Sequence, residues 1–280
     1  MPSVADYQRV RIGAWTFCCR AEAADREMLK LLADSADREP VVKHPRTLPF
    51  VWPAHGREYF LKVFHRRAGA GQMKDLLRQT KARRFWRQGL ALAAAGFNVP
   101  VTAVMGEKRG WVGEERSLVL TEKIAGQPLP QYLSALNYTD DRRLVKSKRS
   151  ALARLGQLLR RFHDLGFVHG DLVASNIFIV AGNDQPVEFY LMDNDRTQRY
   201  PAWLTGHLRK RNLVQLNRLP LAHITLQDRM RFLRGYFQVS EFGPAHKDFA
   251  VWLERRTRRR RQQVDGADVS VNFRRLMAGQ

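Results

Sequence analysis

The sequence predicts an α+β fold of two lobes, a small lobe with an antiparallel sheet and one helix, and a larger lobe that is mainly helical. Three observations support this prediction. Residues 47–120 show the pattern of a hairpin, a helix and two further strands. The tetrapeptide at residues 125–128, Ala-Gly-Gln-Pro, has the composition of a linker. Beyond it, apolar residues recur at helical spacing, and 280 residues are enough for two lobes.

The hairpin is predicted from residues 47–64. An apolar run at 48–52 is followed by the turn sequence Pro-Ala-His-Gly at 53–56. The aromatic and branched residues of 59–64 then favour a second strand. Lys62 lies inside this strand, on the face opposite its neighbours Leu61 and Val63. Taken alone, such a lysine is more often exposed to solvent.

A helix over residues 73–95 should complete the small lobe, because Gly96 and Pro100 follow it as helix-ending residues. Two more strands are predicted at 99–104 and 117–120. Residues 1–40 are mostly polar and are interpreted as an N-terminal extension with a short helix at 26–32.

The larger lobe begins with a long predicted helix. Its apolar positions are Ala151, Leu155, Leu158, Leu159, Phe162 and Leu165, and Gly166 ends it. Residues 203–238 contain further helical pattern. The predicted organisation is an extension at 1–40, a small lobe at 41–123, a large lobe at 124–250 and a basic tail at 251–280.

The most informative motif follows the long helix directly. His169-Gly170-Asp171 is followed five residues after the aspartate by Asn176, which is the spacing of a kinase catalytic loop. An aspartate in this place can accept the proton of an attacking hydroxyl, and an asparagine oxygen can hold Mg²⁺. A lone aspartate and asparagine at this spacing would carry little information.

A second motif lies at the end of the next predicted hairpin. Residues 176–180 and 187–192 are predicted strands around a turn, and the second strand ends at Asp193. A hairpin of this size should return Asp193 to the neighbourhood of Asn176, where the two oxygen ligands would form a metal site. Taken alone, an aspartate such as Asp193 is more often a strand-end residue than a metal ligand.

These residues resemble the bacterial lipopolysaccharide core kinase family of the WaaP/InaA type, which has a protein-kinase-like fold. The resemblance covers roughly residues 45–240. It rests on Lys62, on the loop from His169 to Asn176, on Asp193-Asn194-Asp195, and on the downstream segments 209–221 and 224–236. His-Gly-Asp in place of His-Arg-Asp suggests a small-molecule or glycolipid acceptor, although antibiotic phosphotransferases share it.

The resemblance implies ATP-dependent phosphorylation of heptose or 3-deoxy-octulosonic acid (Kdo) in the inner core, at the cytoplasmic membrane face. By residue match, Asp171 would be the base, and Asn176 and Asp193 would be the magnesium ligands. Lys62 would anchor the ATP phosphates. Backbone groups of Glu122 and Ile124 would form the hinge that meets adenine.

Two features depart from the family pattern. Kinases usually pair the strand lysine with a glutamate on the following helix, and here Phe85 stands where that glutamate is expected. No acidic residue occurs between Asp75 and Glu107. A glycine-rich phosphate loop is also missing. A pseudokinase or membrane adaptor therefore remains an alternative to catalysis, as does a kinase of another small molecule or of a protein.

The charge balance predicts polyanionic partners. There are 48 Lys and Arg residues against 27 Asp and Glu, a formal net charge of +21. Six arginines lie within residues 255–261. No recognition fold or stacking set accompanies them, so specific binding of nucleic acid is not expected. A glycolipid substrate in an anionic leaflet suits the charge better, although a solvated tail is the simpler interpretation.

Cysteine usage and hydropathy bear on the compartment. Cys18 and Cys19 are adjacent, which disfavours a disulfide between them and leaves no zinc-ligand pairs. No signal peptide or membrane span is visible in the sequence. We therefore expect a cytoplasmic protein that is peripheral on the inner face of the cytoplasmic membrane of a Gram-negative bacterium.

Overall fold

The structure, a computed structural model, describes residues 3–40, 47–52, 57–66, 79–109, 115–136, 141–181, 186–219 and 224–264. The chain divides into two units. The first comprises Met1–Ala125 and Tyr190–Arg196, and the second comprises Gly126–Phe189 and Thr197–Gln280.

A six-stranded antiparallel sheet forms the centre of the first unit. Its strands are β1 (Tyr7–Ile12), β2 (Trp15–Arg20), β3 (Thr47–Val51), β4 (Glu58–Arg66), β5 (Thr102–Arg109) and β6 (Glu115–Glu122). They lie in the order β1-β2-β5-β6-β4-β3. The predicted hairpin is β3 and β4, with Thr47 opposite Lys62. Its turn, residues 53–56, lies outside the described part of the chain.

Residues from the first 40 positions form part of this unit's core. Trp15, Phe17 and Cys19 alternate along β2 and are buried, as period-two spacing in a half-buried strand requires. Helix α1 (Arg26–Arg38) adds buried Leu29 and Leu32 to the same hydrophobic cluster. The segment interpreted as an extension therefore contributes two strands and a helix, and α1 is longer than the predicted helix.

Helix α2 (Lys81–Ala94) is the helix predicted at 73–95, of which residues 73–78 lie outside the described residues. The Thr80 hydroxyl caps its first turn by accepting a hydrogen bond from the Arg83 backbone N–H at 3.0 Å. The chain leaves the helix through Gly96, whose φ of +77° is the left-handed conformation that glycine favours.

The second unit is mainly helical. Its helices are α3 (Leu129–Ala135), α4 (Arg142–Asp164), α5 (Thr205–Leu216), α6 (Leu226–Phe237) and α7 (Pro244–Val264). Helices α4 and α6 cross where Gly156 and Gly235 remove side chains from the contact. A Cβ on Gly235 would lie 2.1 Å from the Ala153 carbonyl oxygen. Only glycine permits backbones this close together.

In the described part of the chain, five short strands precede or follow the loops that connect these helices. They are β7 (Gln127–Pro128), β8 (Phe167–Val168), β9 (Ile177–Val180), β10 (Glu188–Leu191) and β11 (Gln198–Arg199). One sheet has the order β10-β9-β7, and β11 pairs with β8. The predicted hairpin strands are thus β9 and β10, which are neighbours in the sheet.

The arginine run at the C-terminal end is helical. Residues 255–261 all lie within α7, which continues to Val264. The first part of the predicted basic tail, residues 251–264, therefore continues a helix that begins at Pro244, and residues 265–280 lie outside the described residues. None of the helices among the described residues is long and apolar enough to cross a membrane.

Candidate active site

Lys62 of β4 forms an ion pair with Asp193 in the first unit. Its Nζ lies 2.5 Å from Asp193 Oδ1, and the lysine side chain is only 17% exposed. The Nζ also lies 5.4 Å from the ring centre of Phe64, two residues along the same strand. The ammonium group of Lys62 therefore contacts both a carboxylate and an aromatic ring, and it is not a solvent-facing strand lysine.

Asp193 has an unusual backbone conformation. Its φ is +54°, and Gln238 is the only other described non-glycine residue with a positive φ. This conformation costs a non-glycine residue about 1–2 kcal/mol. The 3₁₀ turn Asn194–Arg196 that follows packs against α2. Asn194 is buried and donates a hydrogen bond from Nδ2 to the Leu191 carbonyl oxygen at 2.7 Å.

A second carboxylate lies close to this pair. Burial raises the pKa of Asp195 above its ordinary value, and the negative charge of Asp193 raises it further. The nearby cations Lys62, Arg196 and Lys81 act in the opposite direction. The protonated form of Asp195 is therefore favoured by burial and by the neighbouring carboxylate.

Helix α2 supplies no acidic partner to Lys62. Phe85 is 6% exposed and packs with Phe64, Trp86, Met105 and Val119, among other residues of an apolar cluster. Among the described residues, the charged side chain of α2 that pairs with an acidic group is that of Arg83, and its partner is the buried Glu107 of β5. Thr80 also donates a hydrogen bond to Glu107 Oε1 at 2.5 Å.

This arrangement answers the question that the sequence left open. Among the described residues, Asp193 is the acidic partner of Lys62. Glu107 is the next acidic residue in the chain after α2. Its carboxylate binds Thr80 and Arg83 at the start of that helix, so it is already engaged there.

The loop with the kinase spacing lies in the second unit. Strand β8 leads into it and is fixed by β11, with Val168 opposite Gln198. His169 is 1% exposed, and its Nδ1 accepts a hydrogen bond from the Asp171 backbone N–H at 3.1 Å. Asn176 donates from Nδ2 to the Asp171 carbonyl oxygen at 3.0 Å. His169 and Asn176 therefore position Asp171 through its backbone.

These bonds leave two oxygen groups available for chemistry. The Asp171 carboxylate and the Asn176 amide oxygen accept no hydrogen bond from the residues that the structure describes. Since the amide nitrogen is engaged, the orientation of the Asn176 amide is set, and its oxygen is the remaining ligand atom.

Two polar residues of α5 hold the loop, and sequence reasoning missed both. Asn212 is buried, accepts from the His169 backbone N–H at 3.0 Å and donates to the His169 carbonyl oxygen at 2.6 Å. Gln215 accepts from the Leu172 backbone N–H at 3.4 Å. No short-range pattern marks them, because they lie 43 residues after the groups that they bind.

A buried histidine completes this network. His163 Nε2 lies 3.3 Å from Asn212 Oδ1, and its Nδ1 lies 2.9 Å from the Tyr236 hydroxyl. Because an amide oxygen only accepts, Nε2 carries the proton and Nδ1 accepts from Tyr236. Burial lowers the pKa of His163 to about 4 and raises the pKa of Tyr236 to about 12, so both side chains are neutral near pH 7.

Of the predicted hinge residues, Glu122 is the last residue of β6 and Ile124 lies two residues beyond it. The Glu122 backbone N–H donates to the Val101 carbonyl oxygen at 2.9 Å. Its carboxylate lies 3.7 Å from Arg20 Nη1. Ile124 is partly buried. The contact of this segment with adenine stays a prediction.

The donor chemistry fits a magnesium ion. Within the described residues, no group of three or more His, Cys, Asp and Glu side chains forms a metal cluster. The predicted ligands are instead an amide oxygen and a carboxylate, hard oxygen donors that Mg²⁺ accepts while keeping waters and substrate phosphates as its other ligands. The proximity of Asn176 to Asp193 stays a prediction.

Comparison with known proteins gives three findings. The sequence profile described as "Lipopolysaccharide kinase (Kdo/WaaP) family" matches residues 36–236. The 3-deoxy-D-manno-octulosonic acid kinase of Actinobacillus succinogenes is 28% identical over 151 residues. That alignment spans 52% of this chain and 58% of the relative, so little more than half of the relative's length is matched.

A solved structure shows the same fold. The structure titled "WaaP in complex with acyl carrier protein" superposes with a TM-score of 0.58. The alignment covers 84% of this chain and 97% of that chain at 20% sequence identity. The predicted α+β, protein-kinase-like fold is therefore confirmed.

Proposed function

Because this chain belongs to the lipopolysaccharide kinase (Kdo/WaaP) family, we propose that it transfers the terminal phosphoryl group of ATP to a hydroxyl of heptose or Kdo in the lipopolysaccharide inner core. Membership of the family supports phosphoryl transfer as the reaction, and that activity is part of the proposal. The identity of the donor and of the sugar is the other part. The relative named as a Kdo kinase supports a Kdo hydroxyl as the first acceptor to test.

The observation that carries this proposal is that the Asp171 loop has a fixed backbone and an uncommitted carboxylate. Its backbone is fixed by His169 and Asn176, and the Asp171 carboxylate is left without a partner among the described residues. A carboxylate in this place aligns the acceptor hydroxyl and takes its proton as the new P–O bond forms. Structural aspartates of a loop, by contrast, normally bond their own backbone.

Lys62 would supply positive charge to the phosphates of ATP. Its present partner is Asp193, so bound phosphates would share the ammonium group with that carboxylate. Asn176 and Asp193 would hold Mg²⁺, which, when bound, offsets the negative charge that develops on the transferred phosphoryl group. The backbone of Glu122 and Ile124 would bind the adenine edge.

We also propose that the reaction takes place at the inner face of the cytoplasmic membrane. A lipopolysaccharide precursor is anchored in a bilayer, so the acceptor sugar is presented at its surface. The net charge of +21 favours an anionic surface.

A membrane adaptor without catalysis is the second candidate. The missing helix glutamate motivates it, since Phe85 occupies that position in an apolar cluster. The ion pair of Lys62 with Asp193 supports catalysis over the adaptor, because the lysine is oriented without the helix glutamate.

The experiment is a phosphorylation assay with Kdo-bearing and heptosylated lipid A acceptors, read by the mass gained per acceptor. We expect one phosphoryl group on one sugar, with ATP and Mg²⁺ required. Asp171→Ala should lower turnover by a factor of about 10²–10⁴, the usual contribution of a general base. An Asp171→Ala protein that turns over at the native rate would exclude the proposed mechanism.

The controls separate loss of chemistry from loss of structure. Asp171→Asn keeps the shape of the side chain, and both variants should unfold at the temperature of the native protein. If the native protein binds the nucleotide and the acceptor but transfers no phosphoryl group, the adaptor is the correct interpretation.

A further inference from the structure

Helix α7 divides its arginines between two faces. On one face, Leu253 and Thr257 are buried, and Arg261 donates from Nη2 to the Asn217 carbonyl oxygen at 2.7 Å. These three residues recur every four positions, which places them on one side of a helix. This face attaches α7 to the rest of the unit.

The opposite face of α7 lines a groove with α5. We define the α5–α7 groove by the lining residues His207, Lys210, Arg211, Val214, Gln215, Arg218, Trp252, Arg256, Arg259 and Arg260. An adjoining pocket shares Trp252, Arg256 and Arg259 and adds Asp248, Val251 and Arg255. Asp248 is the one acidic side chain in either lining.

Most of these cations have no protein counter-charge. The side chains of Arg211, Arg255, Arg256, Arg259 and Arg260 form no hydrogen bond or ion pair with the residues that the structure describes. In contrast, Arg258 on the same helix pairs with Glu254 at 2.9 Å. Guanidinium groups gathered in one concavity repel one another unless an anion binds among them.

Exposed aromatic and apolar side chains accompany the charges. Trp252 is 37% exposed and Val251 is 50% exposed, and Lys210 Nζ lies 5.3 Å from the Trp252 ring centre. Trp203 is 80% exposed. It lies in the 3₁₀ turn Ala202–Leu204 that precedes α5, four residues before His207. Tryptophan beside basic residues is typical of surfaces that rest at the headgroup level of a bilayer.

We propose that the α5–α7 groove binds the phosphate groups of anionic phospholipids at a bilayer surface. The unpaired arginines supply bidentate donors for phosphate oxygens. Val251 and Trp252 supply apolar contacts at the glycerol level, which a nucleic-acid backbone or a soluble phosphate would leave exposed to water. The proposal deepens the membrane location given above by assigning it to named residues.

The test is co-sedimentation of the full chain with vesicles, without nucleotide, so that the result does not depend on phosphoryl transfer. The vesicles contain phosphatidylcholine alone or phosphatidylcholine with phosphatidylglycerol. The native protein should sediment only with the anionic vesicles. The double variant Arg256→Gln/Arg259→Gln should bind the anionic vesicles with an affinity at least about tenfold lower. The reason is that each basic residue near an anionic surface increases the affinity for that surface several-fold.

The matched control removes the same charge from the other unit. Arg26→Gln/Arg38→Gln replaces two exposed arginines of α1 that have no ion pair within the described part of the chain. It should bind anionic vesicles within about twofold of the native protein. Equal weakening by both double variants would mean that net charge alone attracts the protein, which would overturn the assignment to the groove.

Two further outcomes would also overturn the proposal. One is a native protein that does not bind anionic vesicles at physiological salt. The other is displacement from the vesicles by a short DNA duplex, by RNA or by an acidic protein such as acyl carrier protein in a manner that depends on Arg256 and Arg259. Thermal unfolding of each variant shows that the fold is retained.

Discussion

Lys62 donates from Nζ to Oδ1 of Asp193 across 2.5 Å, although 131 residues separate them in the chain. The strand lysine and the strand-end aspartate are thus joined directly, within one unit. This pairing replaces the lysine–glutamate pair expected from the helix, and it makes the orientation of Lys62 depend on the left-handed conformation of Asp193.

Lys62→Met should remove most of the phosphoryl-transfer activity. Methionine keeps the length of the side chain and loses the ammonium group, so bound phosphates lose a fixed cation. We expect turnover to fall by a factor of about 10²–10³, as when one electrostatic donor is removed from an active site. The measurement is turnover at saturating ATP, with the Kdo-bearing acceptor.

The control for this variant is Lys108→Met, which removes a partly exposed lysine of β5 in the same sheet. The Lys108 side chain pairs with Asp37 of α1 at 2.8 Å. Surface pairs of this kind contribute about 0–1 kcal/mol, so both its activity and its stability should stay close to native. Native turnover by Lys62→Met would show that the ion pair with Asp193 is structural only.

Phe85→Glu should not create a better kinase. Phe85 is 6% exposed and surrounded by apolar side chains, so a carboxylate placed there would be buried without a partner. We expect a loss of about 3 kcal/mol or more in the free energy of unfolding, measured by urea denaturation. Phe85→Leu, which keeps the site apolar, should lose less than about 2 kcal/mol. Higher turnover with native stability in Phe85→Glu would contradict the role of Asp193 as the partner of Lys62.

Sequence patterns located the residues that lie within one element or one loop. The lysine of β4 and the Asp171 loop follow from strand composition and from a five-residue spacing, which are local properties. Asn212 and Gln215 could not be found in this way, because an asparagine and a glutamine within a helix are usually solvent-facing and their partners are set by tertiary packing. The pairing of Lys62 with Asp193 could not be predicted for the same reason, because Asp193 lies two residues after β10 and 131 residues from Lys62.

The two termini show a different limit. Strands β1 and β2 contain Arg9, Arg11 and Arg20 on the faces away from the core. Because of these charges the sequence of this segment is interpreted as polar, and the strand spacing of the buried Trp15 and Phe17 is not recognised. In α7, the arginine run resembles a disordered basic tail by composition. Its helical face becomes visible only when Leu253 and Thr257 are known to be buried.

Asn212→Ala tests whether α5 positions the catalytic loop. The change removes both bonds to the His169 backbone and leaves two buried polar groups unpaired, which should cost about 2–4 kcal/mol of stability. We expect turnover to fall while KM for ATP changes little, because the loop moves and the nucleotide contacts remain.

The matched control is Asn217→Ala, which loses the contacts with Thr257 and Arg229 away from the loop. It should lose stability and keep turnover; an equal loss of turnover in both variants would argue for a purely structural role.

The buried His163 should make stability depend on pH in a defined window. Burial lowers its pKa to about 4 in the folded state, against 6.5 for the ordinary group. Below pH 6.5 the unfolded state therefore binds the proton and the folded state does not, so stability falls as the pH falls from 6.5 towards 4. Between pH 7.5 and pH 5 the free energy of unfolding should fall by about 2 kcal/mol. This interval lies above the range in which most carboxylates titrate.

Urea denaturation at a series of pH values measures how the free energy of unfolding depends on pH. His163→Gln, which does not titrate, should show a much flatter profile over the same interval. A profile of equal slope in the variant would mean that another group carries the proton.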